Sequence, residues 1–139
     1  VELPNGNIMA AWFGGTHEGN ADVCIWTAEL INDRWTAPVK VADGVVNDTS
    51  RFPCWNPVLF KNSDGLVFLF YKVGPNPRAW FGLSKTSADN GHTWSPANYL
   101  PDGMLGPIKN SPLQRTGYQK LMANLNQIFS NQAMQPDGN

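Results

Sequence analysis

Short apolar and aromatic runs, separated by clusters of Gly, Asn, Asp and Pro, recur along most of this chain. The first set is Ile8-Met9-Ala10-Ala11-Trp12-Phe13, then Val23-Cys24-Ile25-Trp26-Thr27, then Trp35-Thr36-Ala37-Pro38-Val39. The second is Asn56-Pro57-Val58-Leu59-Phe60, Leu66-Val67-Phe68-Leu69-Phe70-Tyr71, Ala79-Trp80-Phe81-Gly82-Leu83 and Trp94-Ser95-Pro96-Ala97. Runs of this length bounded by turn formers predict β-strands joined by turns, an all-β chain. Near-continuous apolarity predicts strands covered on both faces, as in stacked sheets. The end departs from this pattern. Leu121, Leu125 and Ile128 stand at helical spacing within Tyr118–Phe129, so 114–139 reads as an atypical segment, helical or disordered.

The runs repeat. Gly6 and Gly65, Gly15 and Gly74, Thr27 and Thr86, and Trp35 and Trp94 are each 59 positions apart, without a gap (65 − 6, 74 − 15, 86 − 27, 94 − 35). The second unit has four strands, of which Asn56–Phe60 is the first. The first unit lacks that strand, because Val1 already approaches the Gly6 turn. Asn110-Ser111-Pro112-Leu113 echoes Asn56-Pro57-Val58-Leu59 with one inserted residue and should start a third unit. The expected units are about 1–45 and 54–100, with the third beginning near 110.

The stretch Ser87-Ala88-Asp89-Asn90-Gly91-His92-Thr93-Trp94 fits S-x-D-x-G-x-x-W, the Asp-box turn of β-propellers. Ser87 and Asp89 accept hydrogen bonds from backbone N–H groups across the turn, Gly91 supplies a position of positive φ, and Trp94 opens the next strand and covers the hairpin. One unit back, Ala28–Trp35 keeps the Trp but has Leu30 and Asn32 where Asp and Gly belong, so a weakened turn of the same kind is expected there. Trp35, Trp80 and Trp94 are assigned to the blade core. Closed propellers have 4–8 four-stranded blades, and two blades with the start of a third cannot close. With neither Met nor a signal peptide before Val1, the chain is expected to be an internal piece of a propeller.

Composition narrows the function classes. A net charge of −1 argues against an electrostatic nucleic-acid binder, and no run approaches the ~20 apolar residues of a membrane helix. Cys24 and Cys54 are isolated, without C-x-x-C or His spacing. They read as buried free thiols, with a disulfide or metal site as the alternative. No cofactor and no metal site is indicated.

Taken in order, Leu3-Pro4-Asn5-Gly6-Asn7, Trp12-Phe13-Gly14-Gly15-Thr16-His17-Glu18-Gly19, Asp22-Val23-Cys24-Ile25-Trp26, Cys54-Trp55-Asn56-Pro57-Val58-Leu59-Phe60, the Asp box and Gly106-Pro107-Ile108-Lys109-Asn110 resemble the BNR-repeat, sialidase-like family over roughly residues 1–113. The resemblance implies a six-bladed sialidase-like β-propeller, of which this chain holds about two blades. It also implies an exo-acting glycoside hydrolase that removes terminal sialic acid or a related acidic sugar from a glycan. Sialidases hold the substrate carboxylate with three arginines and use a Tyr nucleophile activated by a Glu, with an Asp as acid/base, an exception to the two-carboxylate rule. A non-catalytic Asp-box propeller that binds glycans or proteins is the competing class, since fold does not fix activity.

The resemblance places the acid/base near Glu18, where the family's Asp is a Glu. A carboxylic acid in a dry mouth has a raised pKa and protonates a leaving oxygen. The alternative is a solvated loop carboxylate between two glycines. His17 reads as an acid/base or sugar-binding group, or as a plain loop His, and Asp22 as structural. Arg51, Trp55 and Asn56 precede or open the innermost strand of the second blade and are substrate-binding candidates: Arg51 for a carboxylate, Trp55 for stacking on a sugar ring. Blade packing is the competing role for Trp55, and an exposed loop charge for Arg51. Lys72 and Lys109 are candidate contacts to an anionic sugar, or lysines that guard strand edges. Arg34, Arg78 and Arg115 lie outside the family's arginine contexts.

Overall fold

Gly6 and Gly65 adopt φ of +86° and +83°, and the chain reverses at both with one pair of hydrogen bonds. Leu3 N–H donates to Asn7 O at 2.8 Å and Gly6 N–H to Leu3 O at 2.9 Å; 59 positions on, Asn62 donates to Leu66 O at 3.0 Å and Gly65 to Asn62 O at 3.1 Å. The strands that follow, Ile8–Gly14 and Val67–Val73, have bounds the same 59 positions apart.

The computed structural model describes residues 1–114. Its strands in chain order are β1 (Ile8–Gly14), β2 (Cys24–Ile31), β3 (Arg34–Trp35), β4 (Val39–Ala42), β5 (Val45–Asn47), β6 (Ser50–Arg51), β7 (Cys54–Lys61), β8 (Val67–Val73), β9 (Phe81–Ser87) and β10 (Asn98–Tyr99). The first sheet runs β1-β2-β3, with β4 also on β2, and the second runs β7-β8-β9-β10, all antiparallel. A β5-β6 hairpin links them. Val1 and Met9 exchange hydrogen bonds, and Glu2 bridges Ile8, so a further row starts on the free side of β1. Among the described residues there is no α-helix, only a single 3-10 turn at Pro77–Ala79. The helical spacing at Tyr118–Phe129 and Arg115 lie outside the described residues.

The sheets stack. Leu3, Met9, Ile25 and Ala42 of the first share one core with Cys54, Leu59, Val67, Leu69, Tyr71, Val73 and Leu83 of the second. Polar contacts cross the same boundary as well: Cys54 N–H donates to Val23 O at 3.0 Å, Lys85 Nζ to Val41 O at 2.7 Å and Asn5 N–H to Asn90 Oδ1 at 3.1 Å. Along β8 the face carrying Val67, Leu69, Tyr71 and Val73 is buried in this core, while Phe68 and Phe70 on the opposite face are half-buried. The pair forms consecutive partial blades of a propeller, and the array is not closed.

The Asp box closes as its residues dictate. Ser87 Oγ accepts from Gly91 N–H at 2.8 Å, Asp89 Oδ1 accepts from Thr93 N–H at 2.9 Å, and the Ser87 hydroxyl donates to Asp89 Oδ1 at 2.8 Å. Both Asn90 and Gly91 have positive φ, 59° and 77°. Trp94 packs against the shared core.

The first unit's counterpart is a different turn. β2 continues to Ile31, and the chain reverses in two residues, Asn32 and Asp33, with φ of 47° and 64°. Two consecutive positive φ values suit a tight hairpin, for which Asn and Asp are apt. This corrects the expected weakened Asp box. Trp35 is likewise not a core residue: it is 54% exposed, because its two-residue strand pairs only with the end of β2.

Antiparallel order puts all connections at two ends. Segments 15–23, 43–53 and 74–80 leave from one end, while 3–7, 32–33, 62–66 and the Asp box turn at the other. The Asp box is therefore remote along the strands from the loop carrying His17 and Glu18.

Candidate functional site

The loop from Gly15 to Val23 is built around Asp22. Its carboxylate accepts the Thr16 N–H at 3.0 Å and the Thr16 hydroxyl. These two bonds, hydroxyl first, hold Asp22 below the usual carboxylate range, with Arg51 adding a smaller pull. Asn20 N–H donates to His17 O at 3.1 Å, and Gly19 takes φ +82°. Glu18 thus occupies the crest of a turn whose third position needs positive φ. Both His17 and Glu18 are exposed.

Arg51 reaches the base of this loop from the linking hairpin. Its Nη2 lies 3.2 Å from Cys24 Sγ and 3.5 Å from Asp22 O. Cys24 Sγ also donates to Asp22 O at 3.3 Å. Cys24 and Cys54 are both buried and free. Burial, with Cys24 next in weight, pushes the Cys54 thiol up to about 12.

Trp55 stands between two loops. A side chain added at Gly19 would meet its Cη2 at 3.6 Å, while its indole N–H donates to Gly74 O at 2.8 Å. Its ring centroid lies 6.2 Å from Phe13 and 5.6 Å from Trp80. At 7% exposure, Trp55 offers no free ring face for a sugar. The structure assigns it to packing, correcting the stacking expectation.

Asn56 lies in a bulge, where Asn56 and Pro57 face the single residue Tyr71 between the Trp55–Lys72 and Val58–Phe70 pairs. The bulge accommodates Pro57, which has no N–H for the ladder, and Asn56 takes φ 38°. Its carbonyl receives Lys72 Nζ at 3.4 Å, and Nζ also donates to Pro107 O. Lys72 is fully buried, and desolvation lowers its pKa to about 8. An amine enclosed between two carbonyls has no surface for a ligand, so the expected sugar contact is corrected to an internal tie. Lys109 is exposed. It lines a cavity of about 340 Å³ with Ser111, between Met9–Ala11 of β1 and Pro57–Leu59 of β7.

The structure therefore gathers Glu18, His17, Arg51 and Asp22 at one end, beside Trp55. It places Lys109 between the inner strands, and Ser87, Asp89, Gly91 and Trp94 at the far end. Sequence reasoning gave Asp22 a structural role but did not name Thr16 as its partner, although D and T at that spacing around a Gly-rich turn are the signal. Among the described residues, no cluster of three or more His, Cys, Asp or Glu side chains could hold a metal, and no helix is long and apolar enough to cross a membrane.

No curated protein matches the chain. The family described as the BNR repeat-like domain matches residues 6–130, nearly the whole chain and past the described residues. With its blade turns, its stacked sheets and this match in agreement, the chain belongs to the BNR repeat-like domain family.

Proposed function

We propose that these two blades supply the acid side of the active site of an exo-acting glycoside hydrolase that removes a terminal acidic sugar, sialic acid or a relative, from a glycan. The observation that carries this reading is the shared end: Arg51 binds the base of the loop whose crest is Glu18. A cation and a carboxyl group on neighbouring supports suit an anionic sugar and its leaving oxygen. Glu18 gives its proton to the glycosidic oxygen as the carbon–oxygen bond breaks, and the departing glycan leaves as an alcohol. His17, next to it on the same crest, contacts sugar hydroxyls. The nucleophile and further carboxylate anchors come from other blades, as the family resemblance implies.

Turnover of a fluorogenic sialoside by the full-length protein tests the reading. Glu18→Gln should lower turnover by about 10²- to 10⁴-fold; undiminished turnover removes Glu18 as the acid.

One observation favours a second reading, a propeller that binds glycans without cleaving them. Glu18 has no hydrogen-bond partner among the described residues and lies exposed, whereas a general acid is ordinarily oriented and desolvated. Glycan binding without turnover in the wild-type protein would select this alternative.

A further inference from the structure

A cleft of about 350 Å³ opens between the two sheets, with Lys40–Asp43 and β5 on one side and β8, β9 and β10 on the other. Glu18, His17, Arg51 and Trp55 do not line it, and β10 is the edge of its sheet opposite β7. Register builds the second wall. Tyr71 pairs with Leu83 and Leu83 with Tyr99, so both tyrosines leave the same face of the sheet. That face is the one packed towards the first sheet.

Tyr71 is only 2% exposed, yet among the described residues its hydroxyl has no hydrogen-bond partner. A buried tyrosine hydroxyl ordinarily makes one. Burial, then the neighbouring Cys54, Asp43 and Tyr99, push its pKa well above the usual phenol range, and Asp43 and Tyr99 are themselves cleft residues. Lys85 Nζ spans the cleft to Val41 O at 2.7 Å; an ammonium has three N–H groups, so two remain for a ligand. Asp43 accepts the Val45 N–H at 3.2 Å and lies 3.8 Å from Lys40 Nζ. Tyr99 packs against Phe81 with ring centroids 5.6 Å apart, and at 60% exposure much of its ring is open.

These groups select a ligand by type. An anion in the cleft meets Asp43 and a cation meets Lys85, so an uncharged ligand is favoured. A sugar hydroxyl both donates and accepts, which matches a tyrosine hydroxyl, an ammonium and a carboxylate together. The ring carbons of a sugar suit the open face of Tyr99 and the exposed Val45 beside it. The volume is within the range of small-molecule sites. We infer that this cleft between the blades binds one neutral pyranose unit, with its hydroxyls on Tyr71 and Lys85 and its apolar face on Tyr99. The site is separate from the Glu18 end and does not depend on that end being catalytic.

Titration of the full chain with methyl β-galactoside, methyl β-glucoside and methyl β-N-acetylglucosaminide, followed by amide NMR shifts, tests the inference. At least one should bind saturably and shift residues 41–46 and 97–99, which border the cleft. Glucuronate, which adds a charge, and cyclohexanol, which lacks the further hydroxyls, should bind at least about tenfold more weakly. Tyr71→Phe removes only the hydroxyl and should weaken binding about fivefold. Tyr99→Ala should weaken it about tenfold; Tyr99 lies outside the shared core, so this variant decides the matter even if Tyr71→Phe unfolds. Glu18→Gln should bind these glycosides as wild type does, whatever happens to turnover. The inference is overturned if none of the three binds, if glucuronate or cyclohexanol binds equally well, if the shifts fall elsewhere, or if either folded tyrosine variant keeps full affinity.

Discussion

Asn90 of the Asp box accepts, through its Oδ1, the backbone N–H of Asn5 at 3.1 Å. The motif thus closes its own hairpin and also grips the first turn of the preceding sheet. Gly91 beside it abuts the Met9 thioether, leaving no room for a Cβ. Sheet-to-sheet attachment therefore accompanies hairpin closure in one turn.

Gly91→Ala should destabilise the chain by about 2 kcal/mol, combining the cost of a non-glycine residue at positive φ with displacement of Met9. Urea denaturation measures this. In a double-mutant cycle, Met9→Ala should recover part of the loss, because the two sites share one contact.

Hydrogen bonds from the Thr93 hydroxyl and N–H, then from Ser87, hold Asp89 down to about 2. Since the folded value lies below the ordinary 3.8, this contribution is complete above about pH 4 and disappears as pH falls through 2. Acid titration followed by circular dichroism should show that loss, and Asp89→Asn should flatten it.

Lys72 has the opposite sign. Its folded pKa of about 8 lies below the ordinary 10.5, so above pH 8 the unfolded chain binds more protons and stability rises with pH. The useful window is pH 8–9, because the raised pKa values of Cys54 and Tyr71 reverse the trend above it. Thermal melts should gain about 1 kcal/mol across that window in wild type. Lys72→Met should lose the gain.

Trp55→Ala should cost about 3–5 kcal/mol, the usual range for deleting a large buried aromatic. Trp55→Phe keeps a ring but loses the bond to Gly74 O, and should cost about 1 kcal/mol from that bond. Chemical denaturation distinguishes the two, and both should loosen segments 15–23 and 74–80 in hydrogen exchange.

The repeat was legible in the sequence because glycines that need positive φ cannot drift: Gly6 and Gly65 keep the offset of 59, and so do β1 and β8. The same offset conceals a slip in the next strand. Thr27 pairs with Ala11, but Thr86 pairs with Phe68, the counterpart of Met9. Loop 15–23 is two residues longer than 74–80, and the tighter Asn32-Asp33 hairpin restores the count before Trp35. The longer loop and the tighter hairpin cancel, so the offset of 59 is kept on either side of the strand and the slip leaves no trace in the spacing. At the site, the Gly-rich context placed Glu18 and His17 on a loop. The Arg51–Cys24 contact joins residues 27 positions apart through a short, exposed hairpin whose spacing does not show which way Arg51 turns, and burial of Lys72 depends on the returning strap at Pro107.

On the proposed reading labour is divided, the Asp-box end building the blades and the Glu18 end acting on a glycan. The most direct test measures thermal stability and sialoside turnover together, in full-length protein carrying Glu18→Gln or Asp89→Ala. Glu18→Gln should melt as wild type and lose at least about 100-fold in turnover; Asp89→Ala should melt earlier and keep normal turnover per folded molecule. A Glu18→Gln protein with undiminished turnover, or a fully folded Asp89→Ala protein without activity, would contradict the account.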